Sequence, residues 1–556
     1  MLTYAAAALL ASTSVARRAD TLRYELSFAR DDSSHRVVDI RLQFRVGSSG
    51  RAVIELPHVW AGHSDLERQV SDVAIATRSA TIADGDSAFV KVVTGRPGTL
   101  VDVRYRLRQD WSGPVRRPEY FRAMVGDRYA LLVGQNSLAR PRYNDGDSVV
   151  VDVAWKNAPR DWRIETSFGG GTVQHARTTI AELLEGVFVA GEFRAYTTPA
   201  YGRPVRLLVI GNFPFTDSAL VAGTRTIITR ERAFWQDRSA RSFLVATVPS
   251  SGGIGGTAYT NGLVMYVDTT SQLPGYMRLL AHETFHQWNG HTIRTAGPEG
   301  GMKWLSEGFT EYFADRFARD AGLLSADGYL EKANENIRHY YTSPVRNATR
   351  DDLNRRYWSD PDMNRFPYYQ GYLIAGFVDR ELRRATNNQV TVDSLLFSLY
   401  RRVRGTNRLV DDTAFVDAAP ASIRRSLRDS ISSFVIDGHT VPVQSGSFGA
   451  CTDVRTTEMY PFDIGFDANA STRSRVVSGV RAGSTADSAG LRDGMRLRGW
   501  SWFNGDPTHS ASVRVIEGDS IRTIAWLPRG NSAFTVPQIG PRKQQLPQRG
   551  SLGFCG

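Results

Sequence analysis

The stretch Tyr276-Met-Arg-Leu-Leu-Ala-His-Glu-Thr-Phe-His-Gln-Trp288 decides how the central part of this chain folds and what it can bind. The stretch is typical of a helix. His282 and His286 are four residues apart, so they lie on one helical face, where both rings can reach one metal ion. Glu283 lies one residue further round the helix, where it can act on water without binding the metal. The pattern predicts a metal-dependent hydrolytic site.

A second motif follows at Trp304-Leu-Ser-Glu-Gly-Phe-Thr-Glu-Tyr312. Catalytic zinc needs three protein ligands and an open position, and Glu307 can supply the third ligand. Its distance along the chain from His286 allows one loop and an antiparallel second helix. Glu311 lies one turn further on, where it can accept a hydrogen bond from the far nitrogen of a ligand histidine. The two motifs predict one Zn²⁺ per chain, bound by His282, His286 and Glu307.

The two motifs together resemble those of the gluzincins, and in particular those of the glycyl aminopeptidase family, whose members carry a PDZ domain. A third element, Pro367-Tyr-Tyr-Gln-Gly-Tyr-Leu-Ile-Ala-Gly376, is similar to the helix start that presents a catalytic tyrosine in related aminopeptidases. The matching residue is Tyr368, and Tyr369 is the alternative. The resemblance implies zinc-dependent hydrolysis of peptides, with Glu283 as general base and Tyr368 donating to the oxyanion. An aromatic core cluster is the other interpretation of this third element.

The strand Gly255-Gly-Thr-Ala-Tyr259 departs from the family pattern. The resemblance implies that the substrate lies against Gly255, Gly256, Thr257, Ala258, Tyr259 and Tyr369. Family members usually carry a glutamate that binds the free amine where this chain has Ala258. Loss of that countercharge weakens recognition of a free amino terminus. Aminopeptidase activity is the prediction; the alternatives are a zinc endopeptidase or oligopeptidase, and a non-catalytic PDZ scaffold that binds peptides.

The C-terminal segment carries the PDZ resemblance. Asp463-Ile-Gly-Phe466 is similar to a carboxylate-binding loop, which makes Ile464, Gly465 and Phe466 the expected ligand loop. The stretch 480–497 is similar to the PDZ signature, with Met495 in place of the usual aspartate. Such a domain binds a peptide C-terminus by strand addition. Cys451 and Cys555 bracket the segment and predict a disulfide in an exported protein, with two free thiols as the alternative.

Four regions emerge along the chain. Residues 1–16 resemble a signal peptide, because an apolar stretch ends in small residues before two arginines, and this predicts a secreted or periplasmic protein of a bacterial envelope. Residues 17–200 show short alternating strands, typical of a β-sandwich. Residues 201–444 begin mixed and end helical, as expected of a thermolysin-like zinc peptidase domain, and residues 445–556 form the PDZ-like segment. The predicted fold class is multidomain α+β.

Composition excludes several classes of function. The chain has 556 residues, a net charge of +11 and a sequence pI near 9.7, but its arginines are spread along the sequence. No basic run interleaved with aromatic residues is present, so no nucleic-acid partner is predicted. No uncharged apolar stretch reaches about 18 residues, so no transmembrane segment is predicted. The expected partners are peptide substrates and a C-terminal peptide ligand, and no pattern points to an oligomeric state.

Overall fold

The computed structural model describes residues 20–239 and 242–542. The predicted signal peptide, residues 1–16, lies outside the described residues, so export stays a prediction. Cys555 also lies outside them, so its disulfide with Cys451 stays a prediction. Within the described ranges, no helix combines the length and the apolar character needed to cross a membrane.

The N-terminal region is built from β-strands with two short helices. The strands are β1 Asp20–Arg30, β2 Arg36–Arg45, β3 Arg51–Glu55, β4 Val70–Ile75, β5 Ala80–Asp84, β6 Val90–Gly95, β7 Leu100–Arg108, β8 Met124–Val125, β9 Tyr129–Val133, β10 Arg140–Pro141, β11 Ser148–Lys156, β12 Arg163–Thr166, β13 Gly169–Gly170, β14 Val173–Thr179 and β15 Val187–Gly191; the helices are α1 Gly134–Ser137 and α2 Ile180–Leu184. They form sheets of order β14-β11-β1-β2-β7-β4, β10-β3-β6-β5 and β13-β12-β15-β9-β8. Every second residue along β1 is buried, as the alternating pattern predicts, and residues of all three sheets share one core.

The next region opens with a five-stranded mixed sheet. Its elements are β16 Arg194–Ala200, β17 Arg203–Val209, α3 Asp217–Phe234, β18 Phe243–Pro249, β19 Gly255–Tyr259 and β20 Gly262–Val267. The strand order is β16-β17-β18-β20-β19, so β19 is an edge strand, antiparallel to β20. Strands β18 and β20 are buried along almost their whole length, because they are central strands with both faces covered. The sheet therefore leaves one edge of β19 free.

Helices complete this region. They are α4 Leu273–Phe285, α5 Phe309–Asp320, α6 Ala326–Thr342, α7 Arg350–Arg356, α8 Pro361–Ala385, α9 Val392–Val403, α10 Asp412–Asp417 and α11 Arg424–Ile431. A π-helical turn, Trp304–Gly308, runs directly into α5. Helix α4 packs against α3, α5 and the β19–β20 hairpin. The predicted change from mixed structure to helix is confirmed, and α4 lies between the sheet and the second helix of the metal site.

Helix α8 meets the π-helical turn through two glycines. A Cβ atom built on Gly371 would lie 1.9 Å from the carbonyl oxygen of Trp304, and one built on Gly308 would lie 2.3 Å from the Cα atom of Gly371. The backbones therefore approach more closely than any side chain allows. This contact fixes where the residues one turn earlier in α8, including Tyr368, lie relative to Glu307.

We expect Gly371→Ala to lower the free energy of unfolding by about 3 kcal/mol, because α8 must move away from a rigid backbone rather than a flexible side chain. Urea denaturation measures this. Gly275→Ala is the matched control: it is an exposed helical glycine with no neighbouring atom within 4 Å of an added Cβ, and it should be neutral or slightly stabilising. Equal stability of the two variants would contradict the close contact.

The C-terminal region divides into a ribbon and a small module. Its elements are β21 Thr452–Met459, α12 Ala468–Ser474, α13 Thr485–Ser488, β22 Arg496–Ser501, β23 Ala511–Glu517, β24 Ser520–Trp526 and β25 Phe534–Pro541. Strands β21 and β25 pair with each other, and Asn334 of α6 exchanges two hydrogen bonds with the backbone of Ile539, at 2.9 and 2.7 Å. The ribbon thus shares the core of the helical region, whereas the module between its strands has a core of its own. The segment predicted as one unit, 445–556, is therefore two packing units in the described part.

Candidate metal centre

Helix α4 brings the two histidines together as the spacing predicts. The Nε2 atoms of His282 and His286 are 3.1 Å apart. The Nδ1 atom of His286 lies 3.1 Å from the carbonyl oxygen of Asn289, to which an Nδ1–H donates. That bond leaves the lone pair of His286 on Nε2, the atom that faces His282. Two nitrogen lone pairs directed at each other repel unless a cation lies between them.

Glu307 supplies the third ligand atom of the site. Its Oε2 atom lies 3.5 Å from Nε2 of His282 and 3.3 Å from Nε2 of His286. Ligands of tetrahedral zinc at about 2.0–2.2 Å from the metal are separated by about 3.3 Å. The three observed separations match that value, so these residues fit Zn²⁺. The same three side chains form the metal-binding group of the described residues.

A series of charged side chains lies on the Nδ1 side of His282, away from the other two ligands. Its Nδ1 atom lies 3.2 Å from Oε1 of Glu311, whose other oxygen contacts the guanidinium of Arg278. Arg278 also binds the fully buried Asp315. Burial raises the pKa of Glu311, but the charges of Arg278 and His282 outweigh it and lower this pKa to about 2. Glu311 is therefore ionised and holds the proton of His282 on Nδ1, which leaves Nε2 for the metal.

The electrostatic surroundings of His282 favour a bound proton or metal ion. In the metal-free chain burial lowers the pKa of this histidine, but the charge of Glu311 and hydrogen bonds to Glu307 and Glu311 raise it to about 10. A proton and a metal ion are alternatives at the same nitrogen, so surroundings that hold the one also favour the other. On the far side, Nζ of Lys303 lies 3.1 Å from the second oxygen of Glu307 and balances its charge.

Glu283 lies between α4 and the edge strand β19. A Cβ atom built on Gly256 would lie 2.5 Å from Cγ of Glu283 and 2.7 Å from its Oε1. The carboxylate is buried, and burial raises its pKa above the ordinary value although His282 and His286 oppose the shift. A raised pKa makes the ionised group a stronger base. Gly256 is thus required where the strand passes over the predicted general base.

We expect Gly256→Ala to reduce kcat by about 10²-fold without loss of zinc, because the added methyl group displaces either β19 or the carboxylate of Glu283 by about 1 Å. Kinetics on one short peptide, together with metal analysis, measures both quantities. Gly540→Ala is the control, since a Cβ at that strand position meets nothing within 4 Å. Unchanged kcat in Gly256→Ala would show that Glu283 tolerates displacement.

The other predicted residues of β19 divide between its two faces. Gly255 packs on the ring of Tyr120 from the N-terminal region, and Tyr259 is 1% exposed with its ring against that same region. Thr257 points to this face by alternation, and its hydroxyl oxygen is buried. Ala258 shares the opposite face with Gly256 and stays partly exposed. The ring of Tyr259 fills the core beneath the strand, so this residue is left with its backbone to meet a substrate, and the predicted substrate contact along β19 stays a prediction.

Tyr368 lies beside the metal ligands. Its ring stacks on that of His282 with the two centroids 6.1 Å apart, and burial, followed by the charge of Glu307, raises its pKa well above 10. Tyr369 instead stacks on His339 of α6, at 5.0 Å. Successive helical residues point about 100° apart, so only one of the two can face the metal. The choice of Tyr368 over Tyr369 as the catalytic tyrosine agrees with this arrangement, and the substrate contact of the partly exposed Tyr369 stays a prediction.

Arg278 and Lys303 were not predicted from the sequence. Both occupy positions that helical spacing could have revealed, since Arg278 precedes His282 by four residues and Lys303 precedes Glu307 by four. For Arg278 the missing signal was the identity of its partners, Glu311 and Asp315, which depends on how α4 and α5 pack.

The predicted ligand loop of the C-terminal module makes hydrogen bonds within the module. The amide of Gly465 donates to Asp463 at 2.9 Å, the carbonyl of Ile464 accepts from Trp526 at 3.2 Å, and Phe466 is buried in the module core. The residues that follow form helix α12 rather than a strand. Strand addition needs a free sheet edge, and β24, whose last residue Trp526 contacts this loop, is an edge strand of the described module. Peptide binding at residues 464–466 therefore stays a prediction.

Fold and site together define a zinc metallopeptidase. The sequence model of the M61 glycyl aminopeptidase family matches residues 275–361, which include both zinc motifs and confirm the resemblance over that segment. An aminopeptidase N from Plutella xylostella is 40% identical over 73 residues, and this match spans 11% of the present chain and only 7% of that protein.

A solved structure shares the architecture. An aminopeptidase N family protein from Idiomarina loihiensis superposes with a TM-score of 0.72 at 14% identity, covering 94% of this chain and 98% of that chain. At this identity the match shows the fold, including the strand-rich start and the helical region. An M1 zinc metallopeptidase from Deinococcus radiodurans gives a TM-score of 0.49 at 16% identity, over 76% of this chain and 95% of that chain.

Proposed function

We propose that this protein is a zinc-dependent aminopeptidase of the glycyl aminopeptidase type that acts on peptides. The observation that carries the proposal is the position of Glu283, buried between the His282–His286–Glu307 cluster and the free edge of β19. A peptide that pairs with that edge places a carbonyl carbon beside both the metal site and the base. The names of the relatives, aminopeptidase N and glycyl aminopeptidase, support the same class.

The side chains have separate tasks in this proposal. Zinc, when bound, supplies Lewis acidity that polarises the scissile carbonyl and lowers the pKa of water. Glu283 accepts a proton as the water oxygen bonds to the carbonyl carbon, and delivers it to the nitrogen as the C–N bond breaks. The hydroxyl of Tyr368 donates a hydrogen bond to the oxyanion, a contribution of about 3 kcal/mol in comparable sites.

A zinc endopeptidase is the second candidate. Ala258 occupies the strand position, on the same face as Gly256, where a carboxylate would attract a free amine. Its methyl group offers no countercharge, and an internal peptide bond needs none. A non-catalytic scaffold is less well supported, because peptide binding alone gives no role to the buried Glu283.

Cleavage of a mixed peptide library, with the new termini mapped by mass spectrometry, tests the proposal. Release of residues from free amino termini, lost on chelation and in Glu283→Gln, is the expected result. Internal cuts lost in the same two controls would favour the endopeptidase. No cleavage by the zinc-loaded protein would overturn both enzymatic candidates and favour the scaffold.

A further inference from the structure

A tight turn of the N-terminal region reaches across to the helical region. Trp60 and His63 exchange backbone hydrogen bonds of 2.9 Å in both directions, around Ala61 and Gly62. Both central residues have left-handed φ angles, 48° and 83°, which is the geometry of a rigid two-residue hairpin turn. A Cβ atom on Gly62 would lie 3.3 Å from the ring of Trp358, so the tip of the turn rests on that indole.

One end of this contact packs against the ring of Tyr259, beneath the end of strand β19. The ring of Trp60 packs against Phe121 at 5.1 Å and against Tyr259 at 5.9 Å between centroids. Tyr259 is the last residue of β19. The turn therefore leaves the sheet at the Tyr259 end of the strand that bears Gly256 and Ala258.

The other end stands beside the metal site. Trp358 packs on Tyr357 with centroids 5.0 Å apart, and the ring of Tyr357 lies 5.7 Å from Nζ of Lys303. Lys303 in turn binds the ligand Glu307. Contacts thus run from the cleft strand, through Trp60, Gly62 and Trp358, and back to a metal ligand. We call these three residues the cleft wall.

The wall stands a short distance from the reacting bond. Gly256 lies over Glu283, and Tyr259 contacts Trp60. These two residues of β19 are three positions apart, which corresponds to about 10 Å at 3.3 Å per residue. A substrate strand rises by the same amount per residue. The space between the scissile bond and the wall therefore holds about three residues at most.

We propose that the cleft wall closes one end of the substrate cleft and makes this protein an exopeptidase by steric exclusion. The proposal rests on the proposed aminopeptidase function, which places the amino-terminal side of the substrate at the closed end. It explains how a chain end can be selected although Ala258 provides no charge for the amine. Its substrates are peptides cut within about three residues of the amino terminus.

Peptides that share one scissile bond and carry one to six residues on its amino-terminal side test the wall. For the wild type we expect kcat/KM to fall by about 10²-fold between the shortest and the longest extension, because six residues do not fit before the wall. Trp358→Ala should raise the ratio of long- to short-peptide cleavage by about tenfold. Trp358 is 54% exposed, so this replacement spares the core, and thermal unfolding checks it.

A second variant and a control complete the experiment. Trp60→Ala opens the wall from the strand side and should change the ratio in the same direction. Trp500→Ala removes a comparable exposed indole, which stacks on Arg475 in the C-terminal module, and should leave the ratio at the wild-type value. Equal cleavage of all lengths by the wild type, or an unchanged ratio in both wall variants, would overturn the wall alone. Failure of the wild type to cleave even the shortest peptide would overturn the proposed function and the wall with it.

Discussion

Replacing Glu283 with glutamine should reduce kcat by about 10³-fold or more while one zinc ion per chain remains bound. Glutamine has the same shape as glutamate, so it still fits beneath Gly256, where an added Cβ would lie only 2.5 Å from the side chain. It cannot accept the proton of water at neutral pH. The donors of the metal site are His282, His286 and Glu307, none of which is changed. Steady-state kinetics and metal analysis of the same preparation measure the two effects.

Glu331→Gln is the matched control for this result. Glu331 lies on the outer face of α6, where its exposed carboxylate pairs with Arg338, and its loss should leave kcat within about twofold. Loss of zinc from Glu283→Gln would show that this residue is a ligand instead of a base. Retained turnover in Glu283→Gln would require another base.

Replacing His286 with alanine should abolish both zinc binding and turnover. The substitution leaves two donors, and catalytic zinc is held by three protein ligands. Since metal polarisation contributes several kcal/mol to hydrolysis, activity should fall by at least about 10³-fold. Metal analysis after dialysis and a peptide-cleavage assay test this. Chelation of the wild type should reproduce the loss, and added Zn²⁺ should restore it only in the wild type.

His175→Ala separates this effect from any general consequence of removing an imidazole. His175 is an exposed residue of β14 that pairs with Asp152, and its replacement should preserve both zinc and turnover. Full zinc occupancy in His286→Ala would contradict the ligand assignment. The two substitutions thus have different signatures: Glu283→Gln keeps the metal without turnover, whereas His286→Ala loses both.

The zinc ligands were predictable because their geometry is local. His282 and His286 lie on one turn of one helix, so their spacing alone places them together. Predicting Glu307 as a ligand required only that a second helix lie nearby. Glu311 then follows on the next turn of that helix. The direction of the Tyr259 side chain was not predictable, since period-two alternation reveals that residues 257 and 259 share a face but not which face meets the core. Which face of β19 is buried depends on how the N-terminal region packs on the sheet.

Other features depend on contacts between distant segments. The Gly308–Gly371 approach selects Tyr368 over Tyr369, and the 205-residue separation between Asn334 and Ile539 joins the C-terminal ribbon to α6. No local pattern reports such pairings. The C-terminal signature likewise did not reveal helix α12, which follows the predicted ligand loop in the structure.

The sequence by itself determined the metal and the chemistry, because helical periodicity and residue type fix the donors His282, His286 and Glu307 and the base Glu283. Only the tertiary structure decided what can reach them. The free edge of β19 and the cleft wall of Trp60, Gly62 and Trp358 arise where three separate parts of the chain meet. Contacts between these parts limit the length of substrate that fits the cleft. Such contacts depend on packing between segments far apart in the sequence rather than on any single motif.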